Sequence, residues 1–298
     1  VEDDGANIVV GTPGRLLDHL DRGGIDPREV GAVVLDEADQ MLDLGFRDEL
    51  ESILAQTPEA RRTHLVSATF SREVLSLAQR YQQKAVMVEG TVLGAANHDI
   101  AHVAHVVKPH ELESAIINLL LMAPGERTLM FVRTRADASD LSEALGKSGF
   151  FSLPLSGELE QRERNKTLEA FRSGGVMTLV ATDVAARGLD VPDVSRVIHV
   201  DPPGDAEGLT HRSGRTGRAG KKGVSIVLVP PAGRERVKTM FRRARIEAAW
   251  LPVPGAKEIA KNADDRLFTE MAEQVATAGD DKLASLAKRL LEAHDPQA

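Results

Sequence analysis

The feature that most constrains this chain is an alternation in which short β-branched apolar runs are separated by longer stretches with helical spacing. Strands joined by crossover helices are covered on both faces, so the pattern specifies an α/β fold with parallel strands between helical layers. Strands are expected near Ile8–Val10, Ala32–Leu35, His64–Ser67, Ala101–Val107, Thr128–Val132, Thr178–Ala181, Arg196–Val200 and Val224–Val229. The intervening helices have legible ends. Thr12 is placed to cap the first, Pro13 suits its first turn, and Gly23-Gly24 stops it. Thr134 with Asp137 makes a capping-box signature ahead of Leu141 and Leu145.

Two breaks interrupt the alternation. From Gly90 to Asp99 the residues turn small and polar, which marks an interdomain linker, and 298 residues are enough for two cores. After Trp250 an extended Leu251-Pro252-Val253-Pro254-Gly255 leads into two strand-free amphipathic stretches, Glu258–Val275 and Lys282–Leu291. A helical hairpin is expected there, striped by Leu267, Phe268, Met271, Val275, Leu283, Leu286, Leu290 and Leu291. Such a stripe must be buried, against its own domain or against a second copy.

Several classes are disfavoured at once. No stretch approaches the ~20 apolar residues that span a bilayer, and Val1-Glu2-Asp3-Asp4 has no signal-peptide layout, so a cytoplasmic protein with no membrane partner is expected. The absence of cysteine removes disulfides and thiolate metal sites. The chain opens on Val1 and runs at once into Asn7-Ile8-Val9-Val10, so a segment before Val1 is expected. A net charge of −8 argues against a uniformly basic coat, yet Arg212 to Arg245 holds eleven Lys/Arg against one Glu. That run is either a local basic patch or a solvated helix face.

Chemistry concentrates in two places. Asp36-Glu37-Ala38-Asp39 follows the apolar Ala32–Leu35 run, so its acids emerge at the carboxyl end of a buried strand, where open α/β sheets bind ligands. Hard carboxylates there can hold Mg²⁺, and a second acid can orient a water. An acidic tetrad after an apolar run is common and alone fixes nothing. The second place is His211-Arg212-Ser213-Gly214-Arg215-Thr216-Gly217-Arg218, where glycines let guanidinium groups approach an anion. His98, His102 and His105 have ligand-like spacing but straddle a linker and a strand, and are read as surface or strand histidines.

With Thr12-Pro13-Gly14-Arg15, Ser67-Ala68-Thr69, Phe131-Val132-Arg133-Thr134, Gln161 with Arg164, and Ala181-Thr182-Asp183-Val184-Ala185-Ala186-Arg187-Gly188-Leu189-Asp190, the chain resembles the DEAD-box RNA helicases over almost its whole length. Each motif is short, but all stand in the family's order. The resemblance implies two RecA-like domains: residues 1–90 as the C-terminal part of the first, 91–99 as linker, 100–249 as the second, and 250–298 as a helical extension. The cofactors implied are ATP and Mg²⁺, and the partner is RNA.

By residue, the resemblance makes Asp36 the Mg²⁺ ligand, Glu37 the acid that serves the attacking water, and Arg215 and Arg218 the arginine fingers. Such fingers are worth on the order of 10³ to 10⁵ in rate. Gly188 and Asp190 become ATP-binding residues. Asp39, Ser67, Thr69 and His211 become the set that couples ATP state to domain closure. Thr12, Gly14, Arg15, Thr134, Gly157, Arg164, Thr182 and Arg187 become RNA-backbone contacts, and hydroxyls, glycine amides, arginines and helix N-termini are the usual phosphate binders. Aromatics make up only 3% of the chain, so sequence-independent backbone gripping is expected.

Departures are equally legible. The family's Gly-x-x-x-x-Gly-Lys-[Ser/Thr] phosphate loop and its adenine-recognising glutamine segment are absent from the sequence, and the resemblance puts them upstream of Val1. Gly146-Lys147-Ser148 has Leu141 where the first glycine is required and is read as a helix end. Glu158 stands where Asp is expected. The tail is weakly similar to the dimerising helices of the bacterial cold-shock and ribosome-assembly branch, which would make 257–294 a homodimer contact. The reading is an ATP-dependent RNA helicase fragment of low activity by itself; the rival is an ATP-independent RNA-binding or annealing module.

Overall fold

The apolar run Ala32–Leu35 forms strand β1, which pairs in parallel with β2 (Arg62–Leu65), Val34 lying opposite His64. These strands belong to the first of two units, Val1–Gly94 and Ala95–Ala298. The computed structural model describes residues 6–67, 69–88, 98–186, 194–218 and 220–277, with Ser285 and Arg289.

Among the described residues of the first unit, the strands are accompanied by α1 (Pro13–Asp21), α2 (Ala38–Asp43), α3 (Arg47–Gln56) and α4 (Arg72–Tyr81). Leu35, Leu42, Leu50, Leu54, Val74 and Leu77 form its core, each such side chain stabilising by roughly 1.5–3 kcal/mol relative to exposure. Two expectations fail here. Ile8–Val10 forms no strand and is exposed, and among the described residues no strand pairs with it. Strand β1 is not buried on both faces: Val34 is 63% exposed, since the helical core covers only the Leu35 side. Thr12 also makes no side-chain cap; the fixed backbone of Pro13 starts α1 without it. Gly23 closes α1 at φ +71, its N–H donating to the Leu20 carbonyl.

The second unit is a seven-stranded, wholly parallel sheet in the order β5-β6-β4-β7-β8-β3-β9, built from β3 (Ile100–Val106), β4 (Thr128–Phe131), β5 (Ser152–Leu155), β6 (Thr178–Ala181), β7 (Arg196–His199), β8 (Gly223–Val229) and β9 (Ala248–Trp250). Alternation within each strand feeds two faces. Met130, Val180, Ile198, Ile226 and Leu228 meet α5 (Leu112–Met122) and α6 (Arg135–Lys147). Leu129, Phe131, Leu179 and Val197 meet α7 (Gln161–Arg172) and α8 (Asp183–Ala186) on the other. Val227 and Val229 meet α9 (Ala206–Ser213) and α10 (Arg234–Arg243).

Strands β5 and β9 were not legible. Both lie on sheet edges, where a strand can be short and tolerate Pro154, so neither presents a long apolar run. Strand β2 begins two residues before the expected His64. Helix α6 ends at Lys147 and Ser148 closes its last turn, so Gly146-Lys147-Ser148 is a helix terminus. His102 and His105, an odd number of residues apart, lie on opposite faces of β3 and are both buried.

Beyond β9, α11 (Ala256–Thr277) packs its first turns against α5, where Asn262 Nδ2 donates to the Met122 carbonyl at 2.7 Å. Leu267, Phe268 and Met271 further along are exposed. The second expected helix, Lys282–Leu291, lies outside the described residues apart from Ser285 and Arg289.

Candidate functional site

In the first unit the chain leaves β1 and turns sharply into α2. Glu37 makes that turn at φ +51, a left-handed conformation that a non-glycine residue adopts at a cost of about 1–2 kcal/mol. Its N–H donates to Asp36 Oδ1 at 3.0 Å, and both acids are exposed at the strand's carboxyl end. Asp39 instead turns inward and is 2% exposed. Its Oδ2 accepts from the Thr69 backbone N–H at 2.8 Å and from Thr69 Oγ1 at 2.9 Å. Its own N–H donates to Ser67 Oγ at 3.2 Å, and Ser67 Oγ donates to the Thr69 carbonyl at 2.7 Å. Asp39, Ser67 and Thr69 thus form one hydrogen-bonded cluster joining the start of α2 to the segment after β2. A buried carboxylate requires such donors.

Thr12, Gly14 and Arg15 stand exposed together at the N-terminus of α1, with open space beside the Gly14 Cα. The arrangement presents a hydroxyl, backbone and a guanidinium at a helix end suited to an anion.

In the second unit, three residues follow the carboxyl ends of three neighbouring strands. Gly157 comes two residues after β5, Thr182 one after β6 and Thr134 three after β4. Register places Leu155 beside Ala181 and Ala181 beside Phe131, so the three gather along one sheet edge. Thr134 caps α6 in a full capping box, Asp137 Oδ2 accepting from its N–H and hydroxyl at 2.9 and 2.7 Å. At Gly157 a Cβ would lie 3.0 Å from Val184 Cγ1, so the backbone packs close to α8. Arg164, in the first turns of α7, donates to the Ala185 carbonyl at 2.7 Å. Glu158, the departure from Asp, ion-pairs with Arg135 at the start of α6.

The His211–Arg218 segment is held by its buried polar residues Arg212, Ser213 and Thr216. Arg212 is 6% exposed and bidentate to Asp183 at 2.6 and 2.7 Å, with Nη1 donating to the Asp201 carbonyl at 2.8 Å and its guanidinium 5.0 Å over Phe131. Ser213 Oγ lies 2.8 Å from Ser225 Oγ, which is 3.0 Å from Nε2 of the fully buried His199. Burial first, then the positive charge of Arg212, push His199 well below its ordinary pKa of 6.5. Thr216 Oγ1 donates to the Val194 and Ser195 carbonyls. His211 ends up on the last turn of α9, Arg215 half-buried after it, and Arg218 exposed with Nε donating to the Gly214 carbonyl at 2.7 Å.

Sequence reasoning missed that Arg212 is a buried strut, and missed its partners Asp183, Asp201 and Phe131. The signal was present in Asp183, which stands inside the Thr182–Ala186 motif. Arg187, Gly188 and Asp190 lie outside the described residues.

Strand-end acids in one parallel α/β unit, and strand-end hydroxyls with an arginine segment in the other, place polar groups where parallel α/β sheets bind ligands. Residues 1–77 match the DEAD/DEAH box helicase family and 111–220 the helicase conserved C-terminal domain. ATP-dependent RNA helicase DeaD of Mycobacterium tuberculosis is 36% identical, covering 96% of this chain and 53% of that protein. DEAD-box ATP-dependent RNA helicase CshA of Bacillus thuringiensis is 35% identical, covering 97% and 55%. The solved structure of S. cerevisiae Dbp5 bound to RNA and ADP BeF3 superposes with a TM-score of 0.77 at 28% identity, covering 88% of this chain and 71% of that one. The chain belongs to the DEAD-box RNA helicase family, and spans about half the length of the curated relatives it matches.

Proposed function

We propose that the chain is part of a cytoplasmic, ATP-dependent RNA helicase that opens short duplexes by gripping one strand through its backbone. The observation that carries this reading is the row of Gly157, Thr182 and Thr134 at the carboxyl ends of adjacent strands, with Arg164 beside it. Hydroxyls, a close backbone and a guanidinium in a row bind phosphates without reading bases. Thr12, Gly14 and Arg15 offer the same chemistry on the first unit. In this reading residues 1–90 form part of the first RecA-like domain, 91–99 the linker, 100–249 the second domain and 250–298 the extension.

The exposed Asp36 and Glu37 fit a hydrated Mg²⁺, which takes one or two carboxylates and keeps several waters. Bound there, the ion would supply charge neutralisation at the triphosphate. Asp36 would hold it, Glu37 would orient the attacking water, and Arg215 and Arg218 would face the charge that develops. Asp39, Ser67, Thr69 and His211 would transmit the nucleotide state to closure. Gly188 and Asp190 would contact ATP. The sequence has no Gly-x-x-x-x-Gly-Lys-[Ser/Thr] run to cradle the phosphates, so this chain by itself binds ATP weakly and turns over little.

The test is RNA-stimulated ATP turnover, measured on the chain alone and on the chain joined at its N-terminus to a phosphate-loop segment from a relative. Turnover is expected only in the joined form, and Glu37→Gln or Arg215→Ala is expected to abolish it. Unchanged turnover in both variants would sink the assignment. RNA annealing by the chain alone, unaltered by ATP, would favour an ATP-independent binding module.

A further inference from the structure

We infer that α10 and the turn after it form a second RNA-backbone surface on this unit, separate from the strand-end row. Between Arg234 and Arg245 the chain has six Lys/Arg against one Glu, within a protein of net charge −8. Val237, Met240, Phe241 and Ala244 bury one side of α10 against β3, β8 and α9, so the basic side chains are turned to solvent. Arg234, Arg236, Arg242, Arg243 and Arg245 are all exposed.

Their partners leave charge to spare. Glu235 is taken by Lys238 at 2.8 Å, and Lys238, with Arg234 and Arg242 further off, holds its carboxyl below the ordinary value. Arg236 donates to the Pro203 and Gly204 carbonyls, and Arg234 lies 5.5 Å over the Trp250 ring. Among the described residues Arg242 donates a side-chain hydrogen bond to the Thr239 hydroxyl, and Arg242, Arg243 and Arg245 form no ion pair. Attraction to the negative end of the α10 dipole accounts for cations in its last turn, but not for Arg234 in the first or Arg245 beyond the end.

An arginine-rich face is matched by a phosphate backbone, because guanidinium binds phosphate bidentately and is weakly hydrated. The helix is about 15 Å long, enough to meet several phosphates. The strand-end row lies at β5, β6 and β4, whereas α10 packs on β8 and β3 across the sheet, so α10 would engage RNA that extends past the core grip. This inference rests on the proposed RNA function but is tested apart from it.

The experiment measures binding of a single-stranded U20 RNA to the whole chain across a salt series. It compares the unmodified chain with Arg242→Gln/Arg243→Gln/Arg245→Gln, the corresponding triple Lys variant, and Arg164→Ala. Each phosphate contact with single strands contributes about 0.7 to the slope of log affinity against log salt. The Gln variant is expected to lose about a hundredfold in affinity at 0.1 M salt and about 2 from that slope, while the Lys variant keeps the slope. A slope unchanged in the Gln variant overturns the inference, as does loss of binding to polyglutamate instead of RNA, which would mark an acidic protein surface as the partner. Loss in the Gln variant with none in Arg164→Ala would uphold the α10 surface while overturning the strand-end grip.

Discussion

Asp39 and Thr69, thirty residues apart, are joined by two hydrogen bonds to the same carboxylate oxygen, one from the Thr69 backbone and one from its hydroxyl. Thr69→Val keeps the shape but removes the hydroxyl donor. A bond to a charged group contributes about 1.5–3 kcal/mol, so the first unit is expected to unfold at a lower urea midpoint with unchanged m-value.

Arg212 is a buried cation whose partner Asp183 is half exposed. Arg212→Lys loses the bidentate geometry and the stack on Phe131, and is expected to cost about 2–3 kcal/mol. Asp183→Asn leaves the buried guanidinium without its counter-charge and should cost at least as much. Chemical denaturation of both variants checks this, and a negligible loss in either would contradict the strut role.

Gly223 is where β8 passes the arginine segment. A Cβ there would lie 2.1 Å from Thr216 Oγ1 and 2.6 Å from the Gly217 nitrogen, which is backbone and cannot move aside. Gly223→Ala is expected to destabilise by about 3 kcal/mol or more, or to prevent folding of the second unit, as read by thermal melting.

Stability should fall in mild acid. Burial pushes His102 down to about 4 and, with Arg212 and His102, pushes His199 well below 6.5. In the unfolded chain both titrate near their ordinary 6.5, so as pH falls the unfolded state takes up protons first. The contribution is full above that value and is lost progressively from about 6.5 toward 4 and below, at no more than about 1.4 kcal/mol per pH unit per histidine. Urea midpoints at pH 7.5 and 5.0 should show the drop, and His199→Gln should make it smaller.

The sheet and its helices were legible because periodicity reports burial directly: Thr178–Ala181 matches its expected strand residue for residue, and the Thr134–Asp137 capping box forms as read. Edge strand β5 was not, since Pro154 and a half-exposed face leave no apolar run to recognise. The buried faces expected for β1 were wrong for a related reason. An apolar run states that a strand can be covered, and Val34 shows that covering needs a partner.

What the amino-acid order determined by itself was the chemistry available: acids after one apolar run, arginines spaced by glycine, and hydroxyls after others. Only the tertiary structure decided which of these groups point outward. Arg212 and Arg215 read alike in the sequence, yet Asp183, Asp201 and Phe131 converge on the first and make it part of the scaffold. That choice depends on contacts between residues far apart in the chain, which local spacing does not encode.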